Sequence, residues 1–270
     1  MFESGPGTTP ATGNIVGHVR VLPNVRSPQL RNTRDIQVYL PPSYKASGRQ
    51  YPVIYMHDGQ NLFDPELSFA GEWGVDETME RLAPEGFEAI VVAIPNMGGE
   101  RSHEYSPWVD PRAGGGKGDA YLDFVVDTLK PQIDRRFRTE RGRQHTGIVG
   151  SSMGGLISLY GFLRTPGVFG FCGAMSPSLW FANRAIFDYA GGIERWFGRV
   201  YLDIGSEEGQ RHVRDTQGMY RLLRKKCPHP RDQIICIVEE GAQHTEQAWA
   251  QRFEMAVRFL LPKKKRDVNW

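Results

Sequence analysis

The chain has 270 residues, 40% of them apolar and 24% charged, enough for one sizeable core and ordinary for a globular protein. Its 33 basic and 31 acidic side chains leave a formal charge of +2, too balanced for nucleic acid or an anionic membrane to be the main partner. No apolar run approaches the roughly 18 residues that a membrane helix needs, and Cys172, Cys227 and Cys236 are too scattered for a disulfide framework or a zinc site.

Residues 1–13, rich in Gly, Thr and Pro, read as a flexible tail. They lack the basic and apolar regions of a secretory signal, so a cytoplasmic location is expected. "NIVGHVRVL" and "TRDIQVYLPPSY" alternate in polarity and predict two antiparallel strands. Six more continuous apolar runs follow: "YPVIYMHDG", "EAIVVAIPN", "HTGIVGSS", "GFCGAMSPS", "GRVYLDIGS" and "DQIICIVEEG". Runs apolar on both faces are the mark of parallel strands covered by helices on both sides.

Five stretches predict the helices between them: "WGVDETMERLAPEG", "DAYLDFVVDTLKPQIDRRF", "GGLISLYGFLRTPG", "VRDTQGMYRLLRKKC" and "EQAWAQRFEMAVRFLL". Pro131 is expected to kink the second. The alternation gives one α/β domain over residues 14–262, a mostly parallel sheet with an antiparallel start, and a solvated basic tail at 263–270. "RAGGGKGDA" lacks the Gly-Lys-Ser/Thr ending of a phosphate loop and reads as a flexible loop.

The stretch that carries chemistry is Gly150-Ser151-Ser152-Met153-Gly154, which fits G-x-S-x-G with Ser152 at its centre. A strand precedes it and a helix follows, so Ser152 is expected on a sharp turn too crowded for side chains two positions away on either side. Ser151 then serves the packing of the turn. The helix N-terminus faces the serine, which makes the amide of Met153 a donor to an oxyanion. A second donor is expected from "MHDGQNLFD" after the first parallel strand, at the amide of Gln60 or else Gly59, with the Asp58-Gly59 turn allowing close backbone approach.

A serine hydroxyl needs a base. In this class of site the order is Ser, acid, His, which sets aside His18, His57, His103 and His145. His212 starts a helix and His229 sits between prolines, whereas His244 lies in a Gly-bearing loop after the sixth parallel strand, where such folds build their sites. The acid is expected within "RVYLDIGSEEG", the preceding strand and the loop that follows it. Asp203 lies inside the strand and reads as a core carboxylate; Glu207 and Glu208 both lie in the loop, and chemistry alone does not separate them.

Taken in order, "YPVIYMHDGQNLFD", "EAIVVAIPN", "ERSHEYSPW", "HTGIVGSSMGGLISLY", "MSPSLWF", "VYLDIGSEEG" and "GAQHTEQAWAQR" resemble the esterase-D family of α/β-hydrolases, over about residues 33–261. That family includes siderophore (enterochelin-type), feruloyl and acetyl-xylan esterases, S-formylglutathione hydrolases and mycolyltransferases. The resemblance implies an α/β-hydrolase fold and a carboxylesterase that forms an acyl-enzyme with no cofactor and no metal. Ser152 would be the nucleophile and His244 the base. The family's spacing after the glycine maps the acid to Glu208, where many members carry Asp and some siderophore esterases work as Ser–His dyads. The likeness is to the siderophore-esterase type; the Cys- and Trp-bearing segments of a formylglutathione hydrolase are missing. The expected substrate is a small-molecule or carbohydrate-linked ester, with Trp180, Tyr105 and Trp108 as candidate stacking partners and Trp249 as packing. Acyl transfer to an alcohol would use the same residues. A non-catalytic binding protein would carry a degraded triad, which this chain does not.

Overall fold

The computed structural model describes residues 9–10, 15–68 and 70–263. The tails expected at residues 1–13 and 263–270 fall almost wholly outside these. At Thr9–Pro10, though, the backbone forms a short strand, β1, antiparallel to β2, where only loose chain was expected.

The apolar runs become the strands of one nine-stranded sheet. After β1 come β2 (His18–Ser27), β3 (Asn32–Leu40), β4 (Val53–His57) and β5 (Ile90–Ile94). The short strands β6 (Val109–Asp110) and β7 (Gly114–Gly115) form a separate ribbon. The main sheet continues with β8 (Thr146–Ser151), β9 (Phe171–Met175), β10 (Arg199–Gly205) and β11 (Ile234–Glu239). The order is β1-β2-β3-β5-β4-β8-β9-β10-β11; pairings up to β3–β5 are antiparallel and the rest parallel.

Both faces of the central strands are buried, as their continuous apolar character requires. Along β4, Val53 and Tyr55 enter one core while Ile54 and Met56 enter the other. On the second face lie α1 (Val75–Leu82) and α9 (Glu246–Leu260), the latter through Trp249, Phe253, Val257 and Leu260. On the first lie α4 (Lys130–Arg136), α5 (Met153–Arg164), α6 (Phe181–Gly192) and α7 (Gln210–Lys225). Each fully buried aliphatic side chain contributes about 1.5–3 kcal/mol. Short helical turns at α2 (Arg101–Glu104), α3 (Gly118–Asp123) and α8 (Pro230–Gln233) complete the chain.

Two helices depart from expectation. The helix around Pro131 runs from α3 to α4 through a π-helical segment, Phe124–Leu129. The proline has no N–H and its ring crowds the carbonyl four residues back, so a wider turn just ahead of it absorbs the clash. Helix α6 carries no strong sequence signal, and its first turn explains why: Ala182, Asn183 and Arg184 take positive φ of 46°, 54° and 67°. Among the described residues no helix is long and apolar enough to cross a membrane.

Candidate active site

The carboxyl ends of β4, β8, β9 and β10 and the loop after β11 meet on one side of the sheet. Ser152 stands between β8 and α5 with φ 56° and ψ −122°, a strained conformation for a residue with a side chain. Its amide donates to the carbonyl of Met175 at 3.0 Å and its carbonyl accepts the amide of Ser178 at 2.9 Å, which hold the strain in place. Glycine is needed at 150 because a Cβ there would lie 2.8 Å from the carbonyl carbon of Gly154 and 2.9 Å from Cδ2 of His57.

Ser152 Oγ lies 3.0 Å from His244 Nε2, and His244 Nδ1 lies 2.6 Å from Glu208 Oε2. The other carboxylate oxygen, Oε1, accepts the amide of Gly205 at 2.8 Å and the hydroxyl of Ser176 at 2.6 Å. Burial raises the Glu208 pKa, but hydrogen bonds from His244, Ser176 and Gly205 outweigh it and hold the carboxyl below its ordinary range. The side chain of Glu208 is 2% exposed and that of His244 is 44% exposed. The anion is thus enclosed and the imidazole open on the side a substrate would approach.

Of the three carboxylates offered by the sequence, Glu208 reaches the imidazole. Glu207 is exposed, its amide donating to the carbonyl of Ala242 at 3.1 Å. Asp203 is fully buried and paired with Arg252, Nε to Oδ2 at 3.0 Å. His212 lines a cavity beside Ser152, and His229 lies at the amino ends of the strands with Arg143 and Arg199.

The loop after β4 is fixed by side chains that composition did not single out. Asp58 sits at φ 54° and ψ 45°. Its carboxylate is gripped by Arg101, Nε to Oδ1 at 2.7 Å and Nη2 to Oδ2 at 2.9 Å, and by Nδ2 of Asn96 at 2.7 Å. Gly59 is required for a different reason from the one expected: a Cβ there would lie 2.6 Å from the carbonyl carbon of Ala93 and 2.7 Å from the nitrogen of Ile94. The missing side chain lets the loop press on β5. Met153 is the first residue of α5 and Gln60 the second of a short helical turn, Gly59–Asn61, positions where an amide has no acceptor within the turn.

The aromatic candidates separate. Trp180 is 40% exposed and lines a cavity of about 230 Å3 with Ser152, Ser178, His212 and His244. Tyr105 is a correction: it is completely buried, and its hydroxyl accepts the amide of Asp58 at 3.1 Å, so its ring supports the loop from beneath. Trp108 is half-buried, edge-on to Tyr160 at 5.1 Å, and roofs the core. A second cavity, about 310 Å3, lies across Ser152 and His244 and is lined by Gln60, Asn61, Arg101, Glu246 and Trp249.

Sequence reasoning missed a buried network behind the site. Ser176 Oγ accepts Nε1 of Trp249 at 2.9 Å and Nη2 of Arg252 at 2.9 Å and donates to Glu208. Trp249 also stands edge-on to His244, with ring centroids 4.8 Å apart. It therefore orients the site as well as packing. A signal existed: 249, 252, 253, 256 and 260 fall on one helix face, so Arg252 had to be buried and needed a buried carboxylate.

His57 lies under the loop, 2.7 Å from the hydroxyl of Tyr121 through Nδ1, with Nε2 buried and unpartnered. Burial drives its pKa down to about 3, with Arg101 adding to the fall. Its ring resonances are expected to keep their neutral positions in an NMR titration from about pH 8 to about pH 4, where a free imidazole titrates near 6.5. The unfolded chain binds a proton there that the native state refuses. His57 thus removes stability as pH falls from about 6.5 towards 3. A midpoint near 6 would refute the burial argument.

The Esterase family model matches residues 27–260. The chain belongs to that family. This esterase is 30% identical to the YbbA protein of Bacillus subtilis, itself uncharacterised, over 86% of this chain and 94% of that one. It is 32% identical to the siderophore triacetylfusarinine C esterase of Aspergillus fumigatus, over 61% of this chain and 59% of that one. Among solved structures it is similar to the BES protein of Bacillus cereus, with TM-score 0.73 at 21% identity, over 93% of this chain and 98% of that one. The esterase is an α/β-hydrolase in fold and a carboxylic ester hydrolase by family.

Proposed function

We propose that this esterase is a serine carboxylesterase working through an acyl-enzyme. Ser152 Oγ attacks the ester carbonyl and its proton passes to His244 Nε2. Glu208 accepts Nδ1–H and stabilises the imidazolium. The amides of Met153 and Gln60 receive the oxyanion, a contribution of about 3–4 kcal/mol for one donor. Collapse of the tetrahedral adduct releases the alcohol, protonated by His244, and water then clears the acyl group from Ser152 by the same steps in reverse.

The observation that carries this reading is the unbroken hydrogen-bond chain from Glu208 through His244 to Ser152, at 2.6 and 3.0 Å. The substrate class is a small-molecule ester. The siderophore substrate of the Aspergillus relative and the Trp180-lined cavity both favour a siderophore or aromatic acyl ester.

The test is covalent labelling with a fluorophosphonate, read by peptide mass spectrometry. Ser152 is expected to carry the label in the native chain, with labelling lost in His244→Ala. Label on another residue, or none, removes the proposal. A panel of acetyl, feruloyl and siderophore-type esters then assigns the acyl group.

A further inference from the structure

At the start of α1, away from the triad, three carboxylates converge. One carboxylate oxygen from each of Glu72, Asp76 and Glu77 lies within 4.8 Å of the other two. Asp76 is completely buried. Its Oδ2 accepts the amide of Val16 at 2.8 Å, but its Oδ1 has no partner. Oε1 of Glu72 and Oε2 of Glu77 are likewise shielded from solvent and unpartnered. Among the described residues none of the three is in a salt bridge, and Arg81 on the same helix is committed to Glu254 at 2.7 Å. Three converging acidic oxygens without a positive partner are unfavourable in a buried place unless something neutralises them.

We propose that Glu72, Asp76 and Glu77 bind a divalent calcium ion, with water completing its shell. The donor set is all oxygen, from three carboxyl groups, which suits a hard cation and disfavours zinc or copper. Ligand oxygens about 2.3–2.6 Å from one calcium stand up to roughly 5 Å apart, a span that covers the observed cluster. Magnesium, at about 2.0–2.1 Å, requires a tighter and more regular set. The Val16 amide holds Asp76 in place, as outer-shell donors do for ligating carboxylates.

The site would tie together parts of the chain that matter to the active site. Between its ligands, the amides of Trp73 and Val75 donate to the carbonyls of Asn61 and Leu62, at 2.9 and 3.0 Å. These belong to the loop that carries Gln60. The Trp73 ring packs 5.8 Å from that of Trp249. Calcium at residues 72–77 would clamp this loop from behind and raise the stability of the fold by mass action.

The experiment uses the full chain, stripped with EDTA and desalted, in calorimetric titration and thermal melting with CaCl2, MgCl2 and KCl. Its readouts do not depend on ester hydrolysis. One calcium is expected to bind per chain, with a melting temperature raised by about 5–10 °C at a hundredfold excess over Kd, and a weaker response to magnesium. Glu72→Gln and Asp76→Asn are each expected to abolish both signals. If Asp76→Asn fails to fold, Glu72→Gln, on the half-buried loop ahead of the helix, carries the test. Absence of calcium binding in the native chain, or binding retained in Glu72→Gln, overturns the proposal. Melting that ignores calcium but rises on acidification from about pH 8 to about pH 6 also overturns it, and assigns the cluster to shared protons.

Discussion

Ser152→Ala is expected to lower kcat for p-nitrophenyl acetate by about 10⁴–10⁶ and to leave the melting temperature nearly unchanged. The hydroxyl makes two contacts, with His244 Nε2 at 3.0 Å and Ser178 Oγ at 3.3 Å, and neither joins separate parts of the core. The strained backbone is held by the bonds to Met175 and Ser178, which alanine keeps. The loss should therefore appear in turnover rather than in folding. Because nucleophile and base act as a unit, Ser152→Ala combined with His244→Ala should cost little more than either alone. Glu208→Gln should retain more activity than either, since it perturbs the orientation and charge of the imidazole but leaves the nucleophile in place. Steady-state kinetics with circular dichroism checks the set; turnover within tenfold of the native enzyme in Ser152→Ala would falsify the mechanism.

The largest stability effect is expected at Arg252, a residue that touches no substrate. Arg252→Leu removes the guanidinium from a fully buried Asp203, to which Nε and Nη2 bond at 3.0 and 3.3 Å. Burial already raises the Asp203 pKa, and Arg252 is the main influence opposing that rise. Breaking one side of such a pair costs about 3–5 kcal/mol, a fall of roughly 6–20 °C in melting temperature for a domain of this size. The pH dependence follows from the sign. Without Arg252 the folded-state pKa of Asp203 rises further, so the variant is least unstable in acid and loses stability as pH climbs through that value. Replacing both residues, Arg252→Leu with Asp203→Leu, should recover much of the loss, because no charge is then stranded. Denaturant melts across pH test this; a loss under about 1 kcal/mol at neutral pH would contradict the pairing argument.

The two effects separate what was legible in the chain from what was not. The G-x-S-x-G turn was legible because its glycines answer to local crowding: at 150 the clash is with Gly154, four residues on, and with the neighbouring strand end. His244 was legible through chain order and its loop after the last strand. The parallel strands were legible because each is apolar on both faces. Helix α6 was not, since a left-handed first turn hides its start. For Tyr105 and Trp108 the sequence leaves stacking on substrate and roofing the core equally open, because an aromatic side chain in a loop looks the same whether it faces solvent or core. Their partners decide the matter, and these lie 47 and 52 residues away, at Asp58 and Tyr160.

By itself the sequence determined the order of the long strands and of most helices, and it offered Ser152 as the candidate nucleophile and His244 as its candidate base. The elements depend on periodicity, the serine on the stereochemistry of a few adjacent residues, and the histidine on its place in chain order after the last strand. Residue chemistry left Glu207 and Glu208 open and the family resemblance pointed to Glu208; the tertiary structure brings Glu208 to His244. Both glutamates lie in one loop, and they differ only in which side chain turns inward to meet Ser176 and His244. It also decided that Arg252, Asp203 and Trp249 form a buried network with Ser176 behind Glu208 and His244, and that Glu72, Asp76 and Glu77 come together. Those are matters of convergence between distant segments. Convergence is fixed by how the two apolar faces of the sheet are covered, and no short stretch of chain contains that information.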